Sequence, residues 1–380
     1  MMHSETMRWC LTEQQFNNTP SIKEGLTIEK ELSYRRQMGL LIQKMGQKLK
    51  LSQDCINSAV VFSHRFYTLH SFTRFDRFAV GSSALFLSSK LGDQPKRSEL
   101  VVKIAHNCMK PQEPPLDEKS TKMKCQELVF HENILLSTLG FDFHVEQVCA
   151  HVAQLCGQLK LPTELAKTAY VLAIYSLQLT TMCIRHHPKL EACVCLSLAD
   201  ELSQKGRKDS INVLPEGWCL KALGSSWKTK SETAFLTVQD LKTNFLDILK
   251  QYPSILNKLT PFNAASKRSL PPNSTEKADS KKPKTSSRHL KTKIHSLSKT
   301  VTQFCEADTS IKTGSSLLKP KVPVHISTSN NKPLLEDTNA YIKSMEVECK
   351  VNNKLISLNG NSETSSVISC STNLSDYQRI

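Results

Sequence analysis

Aromatic residues are scarce in this 380-residue chain, at 6%, and glycine is scarcer still, with 12 in all. Apolar residues reach 39%, short of the roughly 45–50% of an ordinary globular protein. A chain so composed builds a core over part of its length and leaves the rest unfolded. No uninterrupted apolar run approaches the ~18 residues that a membrane-crossing helix requires. The opening Met-Met-His-Ser-Glu lacks the apolar core of a secretion signal. The expectation is a protein neither embedded in a membrane nor secreted. Its 13 cysteines are odd in number and scattered from Cys10 to Cys370 without framework spacing, which favours free thiols in a reducing cytosolic or nuclear compartment. No Gly-rich phosphate loop, Gly-x-Ser-x-Gly elbow or His-Glu-x-x-His helix occurs. The chain therefore offers no catalytic residues and no cofactor site by these motifs.

Positive charge is what the chain has in excess. Fifty Lys and Arg face 35 Asp and Glu, a net charge of +15, which suits acidic partners such as nucleic acid or acidic protein surfaces without choosing between them. Strand-type alternation is hard to find, whereas helical periodicity runs through to about residue 252. Met38, Leu41, Ile42, Met45 and Leu49 recur at three and four, and so do Ile56, Ala59, Val60, Ser63, Phe66 and Tyr67. Ser52 is placed to cap the second of these helices. Residues 79 to 91 are apolar or small nearly all round, the mark of a helix enclosed by others. A short helix through Leu100 and Ile104 follows, then a longer one over about 120 to 139 with Gly140 as its cap.

A second block repeats the plan over 145 to 252, with helices near 145–159, 163–183, 188–203 and 232–250. The short piece Trp218 to Leu223 supplies the fourth of five. Beyond Tyr252-Pro253 the composition turns to Ser, Thr, Lys, Asn and Pro, too poor in apolar surface to offset chain entropy, so 253–380 is expected to be a disordered basic tail. The fold class is thus all-α, in two packed helical units.

Particular residues now carry a resemblance. Glu31-Leu-Ser-Tyr-Arg35-Arg, Ala59-Val-Val-Phe-Ser-His-Arg-Phe-Tyr67 and Ala84-Leu-Phe-Leu-Ser-Ser-Lys90 resemble the first cyclin box of the cyclin T family. Gln94-Pro95-Lys96, Thr138-Leu-Gly-Phe141, Ser176-Leu-Gln-Leu-Thr-Thr181 and Ala192-Cys-Val-Cys195 continue the match in order and spacing. It implies an N-terminal extension with a short helix (1–30) and two tandem five-helix cyclin boxes (31–143 and 144–252). It also implies a regulatory subunit, not an enzyme, for the kinase of positive transcription elongation factor b, which phosphorylates the C-terminal domain of RNA polymerase II.

Glu132 falls on the same angular sector as Leu128, Leu135 and Leu139, since four residues advance a helix by about 40° beyond one turn. A carboxylate inside an apolar stripe needs a counter-charge, supplied either by an internal cation such as Lys90 or by a partner protein. The resemblance implies that Lys90 and Glu132 touch the kinase's regulatory helix and the segment before it, and that Phe141 is an apolar contact in the same interface. Arg35 sits one turn before Met38 on a buried row, where its five donors demand acceptors; His64 occupies the facing position, and both are read as structural.

Cys193 and Cys195, two apart on a helix, lie about 200° around the axis and cannot share one metal. Cys183 with His186 and His187 lacks a second ligand pair at finger spacing, so no metal site is expected. In the tail, Lys267-Arg268 precede Lys281, Lys282 and Lys284 at the spacing of a bipartite nuclear import signal, pointing to the nucleus.

The chain also departs from the family. Gly92-Asp93 replace an acidic pair after Lys90, Ser225-Ser-Trp-Lys-Thr-Lys230 reverses the sign of a surface before the last helix, and Glu191 stands where an apolar residue is usual. The tail lacks the histidine-rich and arginine-rich stretches of longer relatives, so direct nucleic-acid binding stays open. Two rival readings follow: a tandem cyclin-box DNA-binding factor like general initiation factor IIB, whose N-terminal zinc ribbon has no counterpart in a segment with Cys10 alone, and a cyclin-like scaffold without kinase activation.

Overall fold

A computed structural model describes residues 9–204, 214–223 and 231–259, and among these every regular element is a helix. Two single turns lead in, α1 (Glu13–Phe16) and α2 (Pro20–Lys23), where the sequence suggested one. Thr27, Ser52 and Asp76 then sit in extended backbone and accept from free amides of the turn that follows. Caps of this kind contribute about 1 kcal/mol each. They open α3 (Ile28–Lys48), α4 (Gln53–Leu69) and α5 (Arg77–Leu91), after which come α6 (Ser98–Met109) and α7 (Glu118–Leu139). Gly140 closes α7 in the left-handed conformation, φ +59°, as its lack of a Cβ permits.

In this first box α5 is the central element. It packs against α3, α4, α6 and α7, and every residue from Val80 to Ser89 is buried. That explains why the segment has no polar face: each large apolar side chain removed from water is worth about 1.5–3 kcal/mol. The second box comprises α8 (Val148–Gln158), α9 (Thr163–Leu179), α10 (Pro188–Gln204), α11 (Trp218–Leu223) and α12 (Ser231–Lys250), with α10 packed on the other four.

Two expected boundaries move. The helix expected over 163–183 stops at Leu179, because the Thr180 hydroxyl accepts from the Met182 amide and donates to the Ser176 carbonyl. A 3-10 turn, Met182–Ile184, follows. Tyr252-Pro253 does not end the helical region either: Pro253 is the first residue of α13 (Pro253–Leu259), whose Ile255 and Leu259 are buried. A proline fits there because the first turn of a helix has no use for its missing N–H.

The boxes meet along α3 and α9. Gly39 lies so close to α9 that an added Cβ would stand 2.9 Å from the Gln178 carbonyl oxygen. Gln178 donates to Gln43 at 2.8 Å, and Gln43 exchanges hydrogen bonds with Gln53. A strap formed by the N-terminal residues ties the two together. Trp9 Nε1 donates to Asp142 at 3.1 Å, and the Leu11 amide to the Ile184 carbonyl at 2.7 Å.

Candidate functional site

The C-terminal end of α5 and the middle of α7 bring Lys90 and Glu132 together. Lys90 Nζ lies 2.9 Å from Glu132 Oε2 and 4.0 Å from the centre of the Phe86 ring. Leu128, Leu135 and Leu139 are buried beside Glu132 on the α7 stripe. The two ends of the pair differ: the Glu132 side chain is 6% accessible and that of Lys90 is 45%. Lys90 thus supplies the internal cation that the apolar stripe demanded and still presents half its surface to solvent. The buried Glu132 depends on Lys90 for its counter-charge, while the partly exposed lysine can also meet an acceptor on a partner.

Phe141 follows Gly140 immediately and is itself left-handed, φ +57°. A bulky side chain there is an outlier, and the residue is 68% exposed. Its edge meets Phe143, which in turn meets the buried Phe62. Just beyond Lys90, Gly92 caps the C-terminal end of α5 and Asp93 turns left-handed at φ +54°.

Arg35 is wholly inside the first box. Its Nη2 is 2.7 Å from Glu31 Oε1, and it also donates to the carbonyls of His64 at 3.1 Å and Tyr67 at 2.9 Å. The His64 ring is a weaker partner, Nδ1 lying 3.4 Å from Nη1. Its Nε2 donates across to the Leu177 carbonyl in the second box at 2.9 Å. Burial and the Arg35 charge push His64 down to about 3, so it is a neutral imidazole with its proton on Nε2. Sequence reasoning missed Glu31 as the counter-ion and Thr19, whose hydroxyl donates to the other Glu31 oxygen at 2.5 Å. The i, i+4 spacing of Glu31 and Arg35 was the available signal.

Among the described residues no group of three or more His, Cys, Asp and Glu side chains is placed to hold a metal ion, and the described cysteines are free thiols. The Cys193 thiol lies against that of Cys219. No described helix is long and apolar enough to cross a membrane. Lys267, Arg268, Lys281, Lys282 and Lys284, like the 225–230 surface, lie outside the described residues.

Comparison with known proteins places this geometry. Residues 6–144 match the model of the cyclin N-terminal domain, and residues 147–212 that of the Cyclin-T2-like C-terminal domain. Cyclin-T2 of Mus musculus is 40% identical over 266 residues, 69% of this chain and 35% of that protein. Cyclin-T of Drosophila melanogaster is 43% identical over 196 residues, 52% of this chain and 18% of that one. The chain spans about a third of the length of the mammalian relatives it matches. Among solved structures, a chain of the yeast RNA Pol II CTD kinase CTDK-1 complex superposes with a TM-score of 0.51 at 16% identity, covering 70% of this chain and 86% of that chain. At that identity the likeness establishes the fold.

Proposed function

The chain belongs to the cyclin T family, and from that premise we propose that it is the regulatory subunit of a cyclin-dependent kinase of the transcription-elongation type. The chain contributes no catalytic group. The kinase it binds phosphorylates the C-terminal domain of RNA polymerase II, and the complex acts in the nucleus. Relatives named cyclin-T, and a fold shared with a subunit of an RNA polymerase II kinase complex, support this reading.

The observation that carries it is the docking face. A buried carboxylate, Glu132, is joined to a half-exposed ammonium, Lys90, and α7 runs on to an exposed Phe141 held out by left-handed backbone. Charges of this kind at the edge of apolar surface orient a partner helix, and an exposed aromatic anchors it. The mechanism is differential binding: the face fits the kinase's mobile regulatory helix only in its active position and shifts that two-state equilibrium.

Full-length chain carrying Lys90→Ala or Glu132→Ala should lose roughly 2–5 kcal/mol of kinase affinity and keep its helical circular dichroism. Kinase capture from nuclear extract, followed by phosphorylation of polymerase C-terminal repeats, measures both steps. Normal capture by variants that melt much lower would reduce the pair to an intrachain salt bridge. Capture without stimulated phosphorylation would leave a scaffold.

A further inference from the structure

Glu191 has no part in the docking face. It stands in the first turn of α10, wholly buried. Its Oε1 is 2.5 Å from Ser176 Oγ, and its Oε2 meets no partner among the described residues. The side chain lines a cavity of about 20 Å³ bounded by the N-terminal strap, α4, the segment linking the boxes and the turn before α10.

The surroundings of the carboxyl favour its neutral form. Ser176 Oγ is also 2.9 Å from the Ala173 carbonyl oxygen, which can only accept. A hydroxyl carries one proton. The Ala173 carbonyl already takes the Leu177 amide within α9, so the hydroxyl proton is available to Glu191 Oε1. Oε2 is left without a donor among the described residues, so an ionised Glu191 would be a wholly buried charge with one oxygen unsatisfied.

We propose that Glu191 is a proton-binding site at the junction of the two boxes, filled in the closed structure, whose deprotonation loosens the contact between strap, first box and second box. Burial pushes its carboxyl up to about 7, against the opposing effect of the Ser176 hydrogen bond, so the release of this proton falls near neutral pH.

Other charged and titratable groups border Glu191. Arg65 of α4 borders the cavity, its guanidinium donating to the His144 carbonyl at 3.0 Å and stacking over the Trp9 ring. Glu146 of the linking segment borders it too, with His151 Nε2 at 2.5 Å and His187 Nε2 at 3.8 Å. His186 is pushed down to about 4 by burial and stays neutral above that. Cys10 of the strap, Cys149 of α8, Cys183 of the turn and Cys195 of α10 are all pushed up by burial and stay protonated. α9 meets the carboxyl with the Ser176 hydroxyl.

A carboxyl held above its ordinary 4.5 gives stability that is complete below 4.5 and lost as pH rises through about 7. His64, His70 and His186, all held below 6.5 by burial, act in the opposite direction, so the informative quantity is a difference. Glu191→Gln keeps an acceptor for the Ser176 hydroxyl and cannot titrate. Urea unfolding of the full chain and of this variant, from pH 4 to 8, should show the ratio of their unfolding constants rising roughly 100-fold or more. Infrared spectroscopy with glutamate isotope labelling should show a protonated carboxyl band at pH 6 that the variant lacks. Parallel stability curves, or no such band at pH 6, would overturn the proposal. Should the variant fail to fold, the band and its loss by pH 8 in the unchanged chain decide the matter.

Discussion

Arg35 shows how much a single buried side chain depends on its acceptors. Glu31 neutralises it at 2.7 Å, two carbonyls take further donors, and side-chain exposure is 1% for Arg35 and 3% for Glu31. Breaking such a pair from one side leaves an uncompensated buried charge, at a cost of about 3–5 kcal/mol. Arg35→Ala should therefore lower the urea midpoint strongly, and Glu31→Gln less so, since the amide oxygen still accepts from Arg35. The double change Glu31→Leu with Arg35→Met should recover part of the loss, because no charge is then stranded. If the double variant is as unstable as the sum of the single ones, the pair is not what holds this site. Lys90 contrasts with Arg35: a cation that keeps half its surface in water has little to lose on folding and more to offer a partner.

At the scale of elements, the meeting of α3 and α9 decides how the boxes lie together. Helix propensity alone makes Gly39→Ala stabilising by about 1 kcal/mol. The structure reverses that sign, because the new methyl would meet backbone, the Gln178 carbonyl, at 2.9 Å. Backbone cannot swing aside as a side chain can, so α3 and α9 must separate. That movement also stretches the hydrogen bonds from Gln178 to Gln43 at 2.8 Å and from Arg36 to the Leu179 carbonyl at 3.1 Å. The expected net effect is a loss of about 1–3 kcal/mol, read from equilibrium unfolding. A variant that gains stability would mean that the helices do not approach this closely in solution.

For the whole molecule, the helical region is followed in sequence by a basic run. The two boxes and α13 account for residues up to 259, and the positive residues Lys267, Arg268, Lys281, Lys282 and Lys284 follow them in sequence. We propose that this run directs nuclear import. A fluorescent cargo too large to diffuse through nuclear pores should become nuclear when fused to residues 262–295, and should lose that location when the two clusters are neutralised. Because a receptor reads discrete side chains, the loss should be abrupt. A gradual decline with each charge removed, or a cargo that stays cytoplasmic, would remove the import role and leave entry in company with the kinase.

The all-α class and the positions of most helices were legible in the sequence, because apolar periodicity and capping residues act within a few positions of one another. The angular arithmetic of α7 likewise singled out Glu132 and its need for a cation. Other features awaited the fold. Glu31 stood four residues from Arg35, yet only burial of both made their pairing obligatory. Pro253 was read as an end, and packing on α12 made it a beginning. Glu191 read as no more than a polar replacement until α10 placed it against Ser176 at the junction. Gly39 carried no signal at all, since its partner lies on another helix. Tertiary structure alone decides such matters, because the dielectric and most of the acceptors around a buried side chain come from other elements of the fold, which no local pattern encodes.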